Sequence, residues 1–188
     1  MKESTPITRR EWAGTLAGAA LAAGVALPKG ASAQAAAGSG AVKHSVCAWC
    51  YKNLSLEELC AGAKAIGMDS VELLDVDQFP VVKAHSLICA MANGPGSIGK
   101  GWNRVEHHDE LVAKAEDILP KVAEAGFPNM IVFSGNREGM DDAEGLKNCA
   151  LGLKRITPLA EKLGVTICLE LLNSKRDLKD YMCDHTLW

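Results

Sequence analysis

From residue 42 onward, short β-branched runs alternate with longer stretches whose apolar residues recur every three or four positions. The short runs read as strands and the longer ones as amphipathic helices. Residues 42–50, 70–74, 87–92, 130–134 and 165–171 are the five strand runs. After the first, Ser55 and Glu58 form a capping box, in which each side chain satisfies the other's end of the first helical turn. Leu56, Leu59, Cys60, Ala63 and Ile66 then share one helix face, and Gly67 stops it. A short helical stretch is predicted near 79–84. A third helix over about 109–125 carries Leu111, Ala115, Ile118, Leu119 and Val122, with a kink expected at Pro120. A last helix, capped by Asp141, carries Leu146, Cys149, Leu153, Ile156 and Leu163, holds Pro158 inside it, and ends at Gly164.

Each pair of strands is separated by a connection long enough for parallel pairing. The pattern predicts an α/β fold, and the first strand is not followed by the glycine fingerprint of a dinucleotide-binding fold. A (β/α)8 TIM barrel needs about 250 residues. The stretch 41–188 suffices for about five of its eight units. Thr186 offers a helix N-cap just before the last residue, Trp188. The expectation is a barrel truncated after about five β/α units, the first part of a larger enzyme.

Residues 1–40 read differently. Arg9, Arg10 and Trp12 precede an Ala/Gly/Leu stretch, and Ala31-Ser32-Ala33 supplies a small-residue cleavage site. The arginine pair resembles the twin-arginine export signal, which predicts a periplasmic protein. The apolar run is too short and glycine-rich for a stable membrane span. The chain carries a net charge of -3, and its basic residues lie partly in the leader. An acidic domain lacks the phosphate contacts that nucleic-acid binding requires. Of seven cysteines, six sit at positions suited to small buried hydrophobes. Cys47 and Cys50 have CxxC spacing, without the second pair that a zinc site wants.

The fifth strand has two phases. Val165, Ile167, Leu169 and Leu171 should face the helices, while Thr166, Cys168 and Glu170 should point into the barrel. Glu170 falls at the strand's C-terminal end, where barrel active sites are built. A carboxylate there can hold a hard cation or move a proton, or be solvated and paired with Lys175 or Arg176. Glu72 is a second inward candidate, or one half of an interior ion pair. Asn93, Ser134 and Asn136 lie at the same rim, suited to substrate hydroxyls or to turn capping. His107 and His108 precede the third helix, as solvated helix-start residues or with one of them reaching the rim. His185 lies near the end of the chain.

The segments Ser45-Val-Cys-Ala-Trp-Cys-Tyr51, Ser70-Val-Glu-Leu-Leu74, Ile88-Cys-Ala-Met-Ala-Asn-Gly94, Phe133-Ser-Gly-Asn136, Leu169-Glu-Leu-Leu-Asn173 and Tyr181-Met-Cys-Asp-His-Thr186 resemble the hydroxypyruvate isomerase family. That family lies in the xylose-isomerase-like barrel superfamily. The resemblance runs over 42–188 in order. It implies a divalent cation, magnesium or manganese, on four barrel-end ligands, two of them glutamates that form the acid–base pair. Glu170 matches the first glutamate, as metal ligand and catalytic group. The other three ligands would fall beyond Trp188. Glu72, Asn93, Ser134, Asn136, His108 and Asn173 are the substrate-binding candidates. The implied reaction converts a small hydroxy-carbonyl compound, hydroxypyruvate to tartronate semialdehyde, by proton transfer through an enediolate. A sugar epimerase or dehydratase of the same superfamily is the alternative, and a catalytically incomplete or binding-only chain is another. The oligomeric state stays open.

Overall fold

The computed structural model describes residues 42–186 and 188. The leader expected over 1–40 lies outside the described residues. Strands β1 (Ser45–Cys47), β2 (Ser70–Glu72), β3 (Ala92–Asn93), β4 (Asn129–Val132) and β5 (Thr166–Leu169) alternate with helices. These are α1 (Leu56–Ala65), α2 (Phe79–Ala84), α3 (His108–Ala125), α4 (Asp142–Leu153) and α5 (Thr157–Leu163). β1 pairs with β2, β3 with β4 and β4 with β5, all parallel. Single parallel bridges, Ser70 to Ile88 and Leu74 to Ala92, join β2 to the third strand segment. Strand order therefore follows chain order, as in a barrel wall.

Local chemistry sets the boundaries. The Ser55–Glu58 capping box forms: Glu58 N–H donates to Ser55 Oγ at 3.2 Å, and Ser55 N–H donates to Glu58 Oε2 at 2.8 Å. Gly126 and Gly164 end α3 and α5 in the left-handed region that glycine favours. Pro120 lies inside α3 without ending it.

Three expected elements differ: the first strand ends at Cys47, where a 3-10 turn over Ala48–Tyr51 takes over from the strand expected through residue 50. The last helix is two helices, because Lys154–Ile156 interrupts it and Pro158 falls in the first turn of α5. A proline there forfeits no helical hydrogen bond, so it starts a helix where the sequence pattern suggested a kink. The third strand is not continuous over 87–92. Ala90 N–H donates to Ser70 Oγ at 2.9 Å and its carbonyl accepts from Asn129 Nδ2 at 2.7 Å. Side chains occupy the groups a ladder would use, and Leu73, at φ 60°, turns the partner strand away.

One face of the sheet is covered by helices. Val71, Leu74, Ala92, Met130 and Val132 meet Leu59, Cys60, Val82, Leu111, Leu119, Val122 and Ile156 in a single buried cluster. Phe79 and Phe127 stack edge to face, 4.9 Å apart. Val165 is buried, and Ile167 and Leu169 pack against the same cluster, the helix-facing phase predicted for β5. Leu171 is exposed because β5 ends at Leu169 and the alternation ends with it.

Candidate active site

At the C-terminal ends of the strands lies a cavity of about 530 Å³. Every strand unit contributes to it: Cys47 and Trp49 follow β1, Leu73 follows β2, Asn93 ends β3, Ile131 and Phe133 come from β4, and Glu170 and Leu172 follow β5. Ile98, from the loop after β3, completes the wall. Glu170 is the carboxylate in this lining, and the other side chains are mostly apolar. Its backbone N–H donates to Val132 carbonyl at 3.0 Å, which extends the β4–β5 ladder by one residue. The side chain is half-buried, and burial pushes its carboxyl pKa above the usual range.

The backbone of Glu170 is held from behind. Tyr181 is fully buried; its hydroxyl donates to Glu170 carbonyl at 3.0 Å and accepts from Ser134 N–H at 3.1 Å. Burial pushes the Tyr181 phenol up to about 12, so it stays a donor. Arg137 in turn clamps the segment that carries Tyr181. Its guanidinium bonds the carbonyls of Tyr181 and Met182, Asp142 at 2.7 Å and Asp184 at 3.1 Å. Tyr181→Phe keeps the ring and strips both backbone groups of their partner. It should cost about 1–3 kcal/mol, read as a lower urea midpoint. An unchanged midpoint would remove Tyr181 from this role.

No family profile matches the chain, and no curated protein matches it. Solved structures do. An AP endonuclease, family 2, from Brucella melitensis superposes with a TM-score of 0.64 at 18% identity, over 78% of this chain and 61% of that one. A D-psicose 3-epimerase with D-tagatose, from Clostridium cellulolyticum H10, gives 0.57 at 13%, over 72% and 54%. A mannonate dehydratase from Streptococcus suis serotype 2 gives 0.51 at 15%, over 70% and 54%. The fold is the TIM barrel. At 13–18% identity the likeness is one of fold. The chain spans little more than half the length of most of these structures, and its five strands correspond to part of the barrel.

The barrel brings only some of the expected side chains together. Glu170 and Asn93 meet in the cavity. Asn93 also spends its amide on Leu73 carbonyl at 3.2 Å and Asp75 Oδ1 at 2.9 Å, which fixes the turn after β2. Glu72 is half-buried beside Cys47, its register partner. It is not part of the cavity lining, and its charge acts on thiols. Burial, then Glu72, Cys50 and Glu170 raise the Cys47 pKa.

Four expected rim residues are placed otherwise. His108 is buried between α3 and α4: its Nε2 donates to Trp102 carbonyl at 2.9 Å, and a Cβ on Gly152 would lie 2.7 Å from it. It is a packing residue away from the cavity. Ser134 is fully buried; its Oγ accepts from Cys183 N–H at 2.9 Å, so it secures the returning segment. Asn136 pairs with Tyr181 in an antiparallel bridge, and its carbonyl accepts from Asn103 Nδ2 at 2.6 Å. It lines a separate groove with Arg176 and Lys179. Asn173 is exposed, and its Oδ1 accepts from Lys175 N–H at 3.0 Å, a turn-capping bond. Sequence reasoning missed Trp49, Ile98 and Phe133 as cavity wall, and Tyr181 and Arg137 as supports. Trp49 lay in the CxxC motif, and Phe133 and Tyr181 lay in the segments that carry the family resemblance; Ile98 and Arg137 carried no signal.

Among the described residues, no group of three or more His, Cys, Asp or Glu converges as a metal site. A hard divalent cation takes about six oxygen ligands, and Glu170 offers one carboxylate. By themselves these residues do not fit a complete metal centre. Among them, no helix is long and apolar enough to cross a membrane.

Proposed function

We propose that this chain is part of an enzyme that moves a proton on the carbon beside the carbonyl of a small hydroxy-carbonyl compound, with Glu170 as the acid–base group. The observation that carries this reading is Glu170's position: a half-buried carboxylate among apolar walls, at the strand ends of a TIM barrel. A base is most effective when its pKa approaches the working pH, and burial moves Glu170 in that direction. The apolar wall suits a small substrate, and the net charge of -3 favours one over a nucleic acid.

Isomerisation of hydroxypyruvate is the first form of this reading, supported by the sequence motifs around Glu170. Sugar epimerisation or dehydration is the second, supported by the names of the matched epimerase and dehydratase. A divalent cation, magnesium or manganese, belongs to both, with Glu170 contributing one ligand. Incubating the protein expressed from its own locus with hydroxypyruvate and a panel of ketohexoses in deuterated water separates them. Deuterium at the carbon beside the carbonyl, abolished by chelation and restored by magnesium or manganese, is the expected result. The product formed names the branch. Failure to exchange deuterium into any of these compounds with either metal would defeat the reading.

The leader belongs to the same proposal: the protein acts in the periplasm, after twin-arginine export. Arg9→Lys together with Arg10→Lys should leave it in the cytoplasm, as fractionation of the cells would show. Unchanged export would refute this.

A further inference from the structure

All seven cysteines are free thiols. Cys60, Cys89, Cys149 and Cys183 are buried, Cys47 and Cys168 half-buried, and Cys50 exposed. Thiol–disulfide exchange requires access to the attacking sulfur, so Cys50 is the thiol that meets an external reagent. Its neighbour is set by the backbone. β1 ends at Cys47, and Ala48–Tyr51 forms a 3-10 turn. Such a turn has three residues per revolution and rises about 2 Å per residue. Cys47 is the extended N-cap of that turn (φ -82°, ψ 128°) and Cys50 its third residue, so their Cα atoms lie about 6 Å apart, within the usual span of a disulfide, and Cys50 is near enough to act on the Cys47 thiol. Trp49, 62% exposed, lies between them, and both Trp49 and Cys47 line the cavity.

We propose that Cys47 and Cys50 form a dithiol–disulfide modification site on the wall of this cavity, with a small-molecule disulfide as co-reactant. Cys50, as thiolate, attacks one sulfur of the reagent. The reagent's S–S bond breaks, one thiolate leaves, and Cys50 holds a mixed disulfide. Cys47 then gives its proton to solvent and attacks the Cys50 sulfur, releasing the second thiol. Two protein thiols are oxidised and one external disulfide is reduced to two thiols. Closure turns the Cys47 sulfur toward Cys50 and locks the turn that carries Trp49. The chemistry does not depend on the proton-transfer reading, although it reshapes the same cavity.

The test uses the reduced protein and glutathione disulfide, with trapped peptides read by mass spectrometry. A peptide short of two hydrogens and linking Cys47 to Cys50 is expected, with Cys60, Cys89, Cys149 and Cys183 still reduced. Cys47→Ser should stop at a mixed disulfide on Cys50, and Cys50→Ser should leave Cys47 reduced over the same time. Glu170→Gln should still close to the same Cys47–Cys50 disulfide, no slower than the parent because the charge that opposes Cys47 ionisation is gone, which separates this proposal from the fate of the catalytic one. Persistence of the mixed disulfide in the parent, or pairing of Cys47 with Cys168, would overturn it.

Discussion

Glu170→Gln in the protein expressed from its own locus lowers turnover by roughly 10²- to 10⁴-fold, the usual contribution of a positioned acid–base group. Glutamine has nearly the same shape and can neither accept nor return the proton. The fold survives, because the residue's structural bonds are made by its backbone, to Val132 and to Tyr181. The sign of the stability change follows from the pKa. Burial raises the Glu170 pKa above its unfolded value, so the native state favours the protonated form, and at neutral pH the ionised carboxylate opposes folding. Removing that charge leaves the urea midpoint unchanged or higher at neutral pH. As a base Glu170 must be ionised, so the parent's rate falls on the acid side at a pH above the ordinary glutamate range. Steady-state rates and denaturation curves on the same preparations check both halves. Retained turnover in the variant would end the catalytic assignment.

Arg137→Ala is expected to destabilise the protein by about 3 kcal/mol. Arg137 is 22% exposed and Asp184 17% exposed, so the variant leaves a largely buried carboxylate short of its cation. It also frees the carbonyls of Tyr181 and Met182. Segment 181–184 loosens, and with it the hydroxyl that holds Glu170 from behind. Hydrogen exchange should quicken first at the amides of Ser134 and Cys183, which that segment protects. The bond from Ser174, then those from His185 and Arg137, hold the Asp184 carboxyl below the usual aspartate range. A depressed carboxylate stabilises above its unfolded pKa and loses that contribution as pH falls through the folded one. The parent should therefore lose stability steadily below the ordinary aspartate range, and the variant less steeply. A loss under about half a kcal/mol, within the range of ordinary surface changes, would show that the clamp is ornamental.

The alternation of apolar periods made the barrel wall legible. Val165, Ile167 and Leu169 repeat at the strand period and pack on the core, which left Glu170 on the opposite face. The same rule misread residues beyond the strand ends. Ser134 and Asn136 looked like rim groups because β4 points toward the rim, yet a segment some 45 residues downstream returns, takes the Ser134 hydroxyl through Cys183 N–H, and bridges to the backbone beside Asn136. His108 is buried by the Trp102 carbonyl that its ring bonds and by α4, which packs on it at Gly152; neither contact is written in the helix period of α3.

The sequence by itself determined the order and type of most strands and helices, which way β5 faces, and that Glu170 stands at a strand's C-terminal end. These are local properties: the period of side-chain direction, caps, and glycine stops act within a few residues. Tertiary structure alone decided that Trp49, Ile98 and Phe133 wall the cavity, that Tyr181 and Arg137 brace Glu170, and that Ser134 and His108 are structural. Those assignments rest on contacts between residues far apart in the chain, formed only once the five parallel strands stand side by side and the segment after β5 folds back to β4.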